Sequence, residues 1–194
     1  MHFVNRLFRP GDLILTETGT SSHGGRLFKL PPGSRLFGAV TWLSIGYMLP
    51  ATLGAALARR ELSQKPESSR AILFIGDGSP QMSVQEISTI IKQKLNVIIF
   101  IVNNDGYTIE RAIHGRKQAY NDLATWRHEL ALGFFGADEK QSHSSARTYS
   151  ELEEVLNDDR IKNGRGVRTI EVFMGREDVQ GALLNLMQSQ VSKE

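Results

Sequence analysis

Cysteine is absent from the 194-residue sequence, which excludes disulfide bonds and metal sites built on thiolates. This absence fits a reducing compartment, so we expect a cytoplasmic protein. The sequence also lacks a large excess of charge of one sign, because 23 basic side chains stand against 21 acidic ones and give a net charge of +2. Since the basic residues are scattered along the sequence, we expect no nucleic-acid partner.

Several common site motifs are missing as well. The sequence has no G-x-G-x-x-G, no nucleophile elbow and no metal-binding histidine cluster, so Rossmann dinucleotide binding has no fingerprint here. The N-terminus has no apolar stretch of signal-peptide length. The uncharged segment Leu36–Ala58 is long enough to span a bilayer, but its glycines and Pro50 interrupt it. We expect a strand or loop that leads into a buried helix, and no membrane partner.

Two apolar runs, Ala71–Ile75 and Val97–Val102, form the most informative part of the sequence. Each run stops at a polar turn, and a helix-like segment lies between them, which is the pattern of a βαβ unit. Strands and helices alternate along the rest of the chain, with further strands expected at Asp12–Thr16, 36–42 and Val167–Phe173. The pattern predicts an α/β fold: a three-layer, doubly wound, mostly parallel sheet with helices on both faces.

Helices are expected at Ile45–Leu62, at Tyr107–His114 and, near the C-terminus, at Val179–Val191. Another helix is expected to begin near Ser150, with Ser150 as N-cap and Glu153 as its capping-box partner. The segment 23–35 is rich in glycine and proline, which predicts a loop.

Polar side chains follow the predicted strands, where ligands of parallel sheets bind. Asp77 lies between Gly76 and Gly78, and this pattern suits either a tight turn or a carboxylate ligand for Mg²⁺ beside a phosphate. Ser79 is predicted to begin a helix whose N-terminal amides suit an anion. Asn104 lies in an Asn-Asp-Gly turn signature, yet no alternating strand follows Gly106, so an amide ligand for the same cation is the alternative.

Two further sets of polar residues have a structural and a functional interpretation. Thr18, Gly19 and Thr20 follow the first strand and suit either a helix cap or contacts with phosphate. Glu110 follows the second polar turn and would ordinarily be a solvated glutamate on a helix surface.

Several longer sequence motifs show a resemblance to a known family. GDGS…VQEIST, NNDGYTIERAIHG, YNDLATW and FFGA, with ETGTS and SIG…ATLGAA upstream, resemble the C-terminal cofactor domain of fungal pyruvate decarboxylases, which are thiamine-diphosphate enzymes. The resemblance implies the thiamine-diphosphate-binding fold and covers nearly the whole chain. It also implies that residues 1–194 form one cofactor domain, with the family's pyrimidine-binding and middle domains absent.

The resemblance implies roles for individual residues. Asp77, Asn104 and the Gly106 carbonyl would bind Mg²⁺, and Glu110 would be the catalytic residue that assists decarboxylation and protonation. Ile45 would support the cofactor from below and force its two rings into a V. Leu43 stands where the family pattern has glycine, at a backbone carbonyl that would contact the aminopyrimidine. The implied cofactor-binding residues are Thr18, Gly19, Thr20, Leu43, Ser44, Ile45, Gly76, Asp77, Gly78, Ser79, Asn104, Gly106, Tyr107, Thr108 and Ile109.

The activity implied by the resemblance is non-oxidative decarboxylation of a 2-oxo acid to an aldehyde and CO₂. Pyruvate is the implied substrate, while indolepyruvate and phenylpyruvate stay open. The family's site lies between two subunits, so the chain is expected to need a homo-oligomer or a pyrimidine-domain subunit supplied in trans, and to be inactive alone. The alternatives are an inactive cofactor-binding or dimerisation module and a truncated product.

Overall fold

The computed structural model describes residues 3–64, 69–138, 141–179 and 181–191. Within these residues, six strands form one sheet in which every pairing is parallel, with the order β2-β1-β3-β4-β6-β5. The strands are β1 (Leu13–Thr16), β2 (Arg35–Gly38), β3 (Ala71–Gly76), β4 (Val97–Asn103), β5 (Ser142–Ala146) and β6 (Val167–Phe173). The predicted doubly wound α/β fold is confirmed, and the sheet is entirely parallel.

Eight α-helices lie within the described residues. They are α1 (Thr20–Gly25), α2 (Met48–Leu62), α3 (Glu86–Lys92), α4 (Thr108–His114), α5 (Ala131–Phe134), α6 (Tyr149–Asn157), α7 (Asp159–Lys162) and α8 (Ala182–Val191). Short 3₁₀ helices occur at Val4–Arg6, Ser79–Met82, Ala119–Asn121 and His128–Leu130. The three predicted helices that correspond to α2, α4 and α8 are found with later starts.

The two faces of the sheet form two separate hydrophobic clusters. Along β3, Leu73 and Ile75 point into the cluster that includes side chains of α2 and α3. Ile72 and Phe74 point into the cluster on the other face, which includes side chains of α6 and α7. Because successive strand residues alternate between faces, a strand that is apolar at every position is buried on both sides. This explains why β3 and β4 stand out in the sequence as continuous apolar runs.

Two local predictions differ from the structure. The cap of α6 is Thr148, which forms a capping box with Glu151, so the predicted Ser150–Glu153 box is wrong. Thr148 has the extended backbone that an N-cap requires, whereas Ser150 already lies inside the helix. The segment 23–35 is not entirely a loop, because its first residues complete α1.

The uncharged segment Leu36–Ala58 divides into part of β2, a loop with two turns and most of α2. No helix within the described part of the chain has both the length and the apolar character needed to cross a bilayer. Strand β5 has no counterpart among the predicted strands. Its sequence SHSSA has no apolar run, and it pairs only with β6 at the edge of the sheet.

The strand order creates a crevice at the carboxyl edge of the sheet. From β1 the chain continues to β2 on one side, whereas β3 pairs with β1 on the other side. The connections therefore diverge between β1 and β3, and such a switch point is where ligands bind in open α/β sheets. The segments that follow β1, β3 and β4 all reach this edge.

Candidate functional site

Three predicted metal ligands meet at the carboxyl edge. Asp77 and Asn104 follow β3 and β4, which are neighbouring parallel strands, and both side chains are buried. The Gly106 N–H donates a hydrogen bond to Asp77 Oδ2 at 3.0 Å. We call Asp77, Asn104 and Gly106 the oxygen cluster.

Burial dominates the electrostatics of Asp77. It raises the pKa of this carboxyl above its ordinary value, although the Gly106 N–H and the nearby His128 act in the opposite direction. Desolvation disfavours the charged form of an acid when no positive charge lies against it. The Asp77 carboxyl is therefore a group whose ionised form a cation would stabilise.

The Asn104 amide has two orientations with different chemistry, and only the second satisfies its hydrogen bonds within the chain. In one, its oxygen lies 2.9 Å from the Gly106 carbonyl oxygen and 3.3 Å from Asp77 Oδ1, so three acceptors converge. In the other, the amide nitrogen occupies that position and donates to both oxygens, while the amide oxygen accepts from the Thr20 and Thr108 hydroxyls at 3.2 and 2.7 Å. The site thus accommodates an amide donor or a third converging oxygen without moving the backbone.

Neighbouring predicted residues pack around the oxygen cluster. Gly78 lies under the Tyr107 ring, because a Cβ on Gly78 would come within 2.4 Å of Tyr107 Cε1. A Cβ on Gly19 would likewise meet Ile109 at 3.7 Å. The hydroxyl of Thr18 is buried and has no hydrogen-bond partner within the described structure.

The segment after β3 differs from the prediction in its helix type. Gly76 ends β3, and Ser79 begins a four-residue 3₁₀ helix, not an α-helix. The α-helix of this connection, α3, begins only at Glu86. Pro80 at the start of the 3₁₀ turn lacks an N–H, so the predicted row of helical amides at Ser79 is reduced to a short turn.

The segment from Ala39 to Tyr47, here the 39–47 loop, carries three predicted residues in exposed positions. The exposed fractions of Leu43 and Ile45 are 58% and 44%, and Ser44 is exposed as well. Leu43 has a φ of +51°, in the left-handed region that favours glycine. Ser83 Oγ donates to the Gly46 carbonyl at 2.8 Å, and this bond ties the loop to the turn that Ser79 begins.

Glu110 lies in the first turn of α4. Its Oε2 is 3.2 Å from His114 Nε2, and its side chain is 37% exposed. The two residues are one helical turn apart, which is the spacing of a helix-surface pair. The structure places Glu110 on the same segment as Tyr107, Thr108 and Ile109, but in contact with His114.

Glu17 is a residue near the site whose structural role the sequence prediction missed. It is fully buried, and its two oxygens accept the N–H groups of Thr18 at 2.8 Å and Met48 at 3.0 Å. Burial raises the pKa of Glu17, whereas these backbone hydrogen bonds oppose the rise. The carboxyl joins the Thr18–Thr20 segment to the start of α2, and its only sequence signal is its position after a strand.

Other residues that the prediction missed hold the loop after β4. Arg111 is buried and donates through Nη2 to the Asp105 carbonyl and to Asp122, both at 2.8 Å. Asn103 donates to Glu171 at 2.7 Å, and His128 Nδ1 lies 2.8 Å from the same carboxylate oxygen. The sequence offers no signal for these contacts, because each joins residues of different segments.

The site is rich in oxygen ligands of mixed type. Within the described residues no group of three or more histidine, aspartate or glutamate side chains converges on one point. A carboxylate, an amide and a carbonyl do converge, and this donor set suits a hard divalent cation, not zinc or copper. Together with the switch-point crevice, it defines the class of the chain as an α/β ligand-binding domain that works at the carboxyl edge of a parallel sheet.

Comparisons with known proteins agree with this class and narrow it. Residues 17–172 match the family described as thiamine pyrophosphate enzyme, C-terminal TPP binding domain. The chain belongs to this family, and the predicted cofactor, thiamine diphosphate, is thereby confirmed.

Curated relatives include fungal pyruvate decarboxylases. The chain is 56% identical to one from Aspergillus parasiticus over 96% of its length and 34% of the relative. It is 42% identical to one from Candida glabrata over 93% of its length and 31% of the relative. It is 41% identical to isozyme 1 of Saccharomyces cerevisiae over 88% of its length and 30% of the relative. The chain thus spans about a third of the length of these relatives.

Proposed function

We propose that the chain holds Mg²⁺ and thiamine diphosphate as the cofactor domain of a 2-oxo acid decarboxylase. The observation that carries the metal site is the spacing of the oxygen cluster. Ligands at 2.0–2.1 Å from an octahedral Mg²⁺ lie about 3 Å apart when they are adjacent. In its oxygen-inward orientation the Asn104 amide lies 2.9 and 3.3 Å from its two neighbours, so Asp77, Asn104 and Gly106 fit three adjacent ligand positions.

Electrostatics supports the same assignment. Three converging acceptors repel one another in a site of low polarity, and a divalent cation replaces that repulsion with attraction. The cation also favours the ionised form of Asp77, whose burial otherwise disfavours it. Binding would thus turn the Asn104 amide from a donor into a ligand and release one proton for each Asp77 that was protonated.

We assign the diphosphate to the hydroxyls and amides beside the cluster. Thr20 lies within hydrogen-bond distance of the Asn104 amide, and the Thr18 hydroxyl has no other partner in the described structure. Ser79 and the backbone at Gly78 begin the turn after Asp77. Phosphate oxygens commonly complete the coordination of Mg²⁺, so these groups lie where the anionic end of the ligand would be needed.

We assign the organic part of the cofactor to the 39–47 loop and to α4. Ile45 would support the two rings, the Leu43 carbonyl would accept a hydrogen bond from the aminopyrimidine, and Glu110 would handle protons at the substrate. Bound thiamine diphosphate supplies the electron sink that decarboxylation requires. In this role Glu110 would exchange its contact with His114 for the ligand, since its side chain is partly exposed.

Calorimetry tests the metal and cofactor assignment. We expect Mg²⁺-dependent binding of thiamine diphosphate to the purified chain, and Asp77→Ala should weaken it by about 100-fold or more because the only carboxylate of the proposed metal shell is lost. Glu61→Ala is a matched control, since Glu61 is exposed at the end of α2. Equal affinities for wild type and Asp77→Ala would contradict the metal site.

Turnover tests the enzymatic part separately. We expect no acetaldehyde from pyruvate with the chain alone, and production when a pyrimidine-binding domain of this family is added in trans, because that domain carries the rest of the family's site. Acetaldehyde from the chain alone would contradict the first statement. Cofactor binding without turnover in the mixture would instead favour the second candidate, a cofactor-binding or dimerisation module, which the exposed apolar side chains of the 39–47 loop also support.

A further inference from the structure

A second site candidate lies at the amino edge of the sheet, opposite the oxygen cluster. A cavity of about 80 Å³ opens there between α2, the start of β3 and the turn before β4, which is room for several water molecules. Within the described structure its walls contain no acidic side chain, but they contain five basic ones: Arg59, Arg60, Arg70, Lys94 and Arg165. The fold thus concentrates positive charge that is scattered in the sequence.

Only one of these five cations pairs with a carboxylate inside the described structure. Arg70 binds Asp12 through two hydrogen bonds of 3.0 and 2.6 Å. Arg59 and Arg60 donate to the uncharged Gly11 and Gln93. Within that part of the chain, four positive charges therefore surround the cavity without a carboxylate of their own, and they give the cavity a positive potential that attracts anions.

Donors without acceptors lie in the wall and directly behind it. The Ser69 hydroxyl lines the cavity, is buried and has no partner in the described structure. Arg168 is fully buried, and its Nη1 donates to Asn96 and Gly166, two residues of the cavity wall. Its Nε and Nη2 have no partner in the same part of the structure. Burial, with help from Arg70 and Arg9, lowers the pKa of Arg168 to about 10.

Lys94 contributes an independent observation. It follows the C-cap of α3 with a φ of +52°, and the N–H of Leu95 bonds back to the Ile90 carbonyl at 3.1 Å. Glycine is the favoured residue at this left-handed position after a helix. The chain instead carries a lysine at this strained position, and the lysine lines the cavity.

We propose that this cavity is a binding site for a small oxyanion, namely inorganic phosphate or a phosphate ester. A tetrahedral oxyanion offers several acceptors to donors that converge from different segments, and guanidinium groups bind phosphate in pairs of hydrogen bonds. The small volume favours an ion over an acidic peptide segment. The site is distinct from the cofactor site, because the six residues of β3 separate Ala71 in the cavity wall from Asp77 by about 20 Å.

Titration of inorganic phosphate into the full chain tests this proposal by calorimetry at constant ionic strength, with chloride as the balancing anion. We expect saturable binding that Lys94→Glu combined with Arg165→Glu weakens by at least about tenfold. Both side chains are exposed, so the double variant should fold. Arg26→Glu combined with Lys29→Glu changes the net charge equally at another exposed surface and should leave the affinity unchanged.

Phosphate also resembles the anionic end of the cofactor, so it could bind at the carboxyl edge as well. A third variant distinguishes phosphate binding at the two edges of the sheet. Thr20→Ala combined with Ser79→Ala alters only the carboxyl edge and should retain phosphate binding. The proposal is overturned if this variant loses the binding, if the Lys94/Arg165 variant retains it, or if wild type shows no saturable binding. Binding of polyglutamate in place of phosphate would also overturn it and would assign the cavity to an acidic protein segment.

Discussion

The oxygen cluster and the 39–47 loop lie at the same edge of the sheet, but they are built in opposite ways. Asp77 and Asn104 are buried, and hydrogen bonds within the chain hold the polar atoms of the cluster. In the loop, Val40 and Trp42 are 81% and 86% exposed. Large apolar side chains exposed side by side are typical of a surface that another molecule covers. The proposed metal ligands are thus buried and held by contacts within the chain, whereas the loop proposed to lie near the rings exposes an apolar surface.

Backbone conformation shows the same contrast. Gly106 in the cluster has a φ of +130°, and the residue type fits the conformation. Leu43 in the loop has a φ of +51°, where a glycine would be less strained. The backbone is therefore unstrained at Gly106 and strained at Leu43, while Asp105 beside Gly106 also has a positive φ, of +54°. Three substitutions test this contrast.

The largest effect is expected from Gly106→Ala. A Cβ there would lie 2.4 Å from both the Asn121 carbonyl oxygen and Arg111 Nη2, and Tyr107 depends on that carbonyl for a hydrogen bond. We expect a loss of about 3 kcal/mol or more in the free energy of unfolding, measured by urea denaturation.

Gly76→Ala is the matched control for this variant. Gly76 also adjoins the cluster, but a Cβ there meets no atom within 4 Å. Its free energy of unfolding should change by less than about 1 kcal/mol. Equal losses for the two variants would mean that the cluster does not depend on the conformation of Gly106.

Sequence reasoning succeeds where one segment carries its own signal. Strands β3 and β4 are apolar at nearly every position, and the polar residues after them are expected at one edge because parallel strands end together. The strand pattern alone is therefore enough to predict that Asp77, Asn104 and Gly106 lie close together, and their atoms do meet at the carboxyl edge. The same reasoning fails for β5, whose polar sequence forms a strand only because β6 offers an open edge.

Contacts between distant segments cannot be predicted from the sequence pattern alone. The bond from Glu17 to Met48 joins residues on either side of β2, and Arg111 binds Asp122 across the turn after α4. The basic cavity collects residues from α2, β3 and two turns, so its charge is invisible in a sequence where lysine and arginine are scattered. Such features depend on the topology, which periodicity alone does not define.

Glu17→Gln should have an intermediate effect, because Glu17 joins the Thr18–Thr20 segment beside the oxygen cluster to the start of α2, which follows the 39–47 loop. A glutamine amide would place a donor against one of the two N–H groups that the carboxylate now accepts. We expect a loss of about 2 kcal/mol in the free energy of unfolding, while Glu61→Gln at an exposed position should change it by less than about 0.5 kcal/mol.

The pH dependence of this loss has a defined sign. Because the folded-state pKa of Glu17 is raised above its ordinary value of 4.5, its stabilising contribution is full below that value and declines as the pH rises through the folded-state pKa. The difference between wild type and Glu17→Gln should therefore be largest in mild acid and become smaller as the pH rises. A difference that grows with pH would contradict the raised pKa.

The smallest expected effect is a gain in stability, from the substitution Leu43→Gly. A left-handed conformation costs a leucine about 1–2 kcal/mol, and glycine in turn costs about 0.5–1 kcal/mol in chain entropy, so the free energy of unfolding should rise by about 0.5 to 1 kcal/mol. Leu43→Ala keeps the Cβ that causes the strain and should leave stability within about 0.3 kcal/mol of wild type.

Calorimetry of the same variants separates strain from crowding: if the leucine side chain crowds the cofactor, both variants bind thiamine diphosphate more tightly, whereas if backbone strain alone matters, only Leu43→Gly does. A destabilised Leu43→Gly would show that the exposed leucine already packs to the advantage of the chain, and the contrast between the strained loop and the unstrained cluster would then fail.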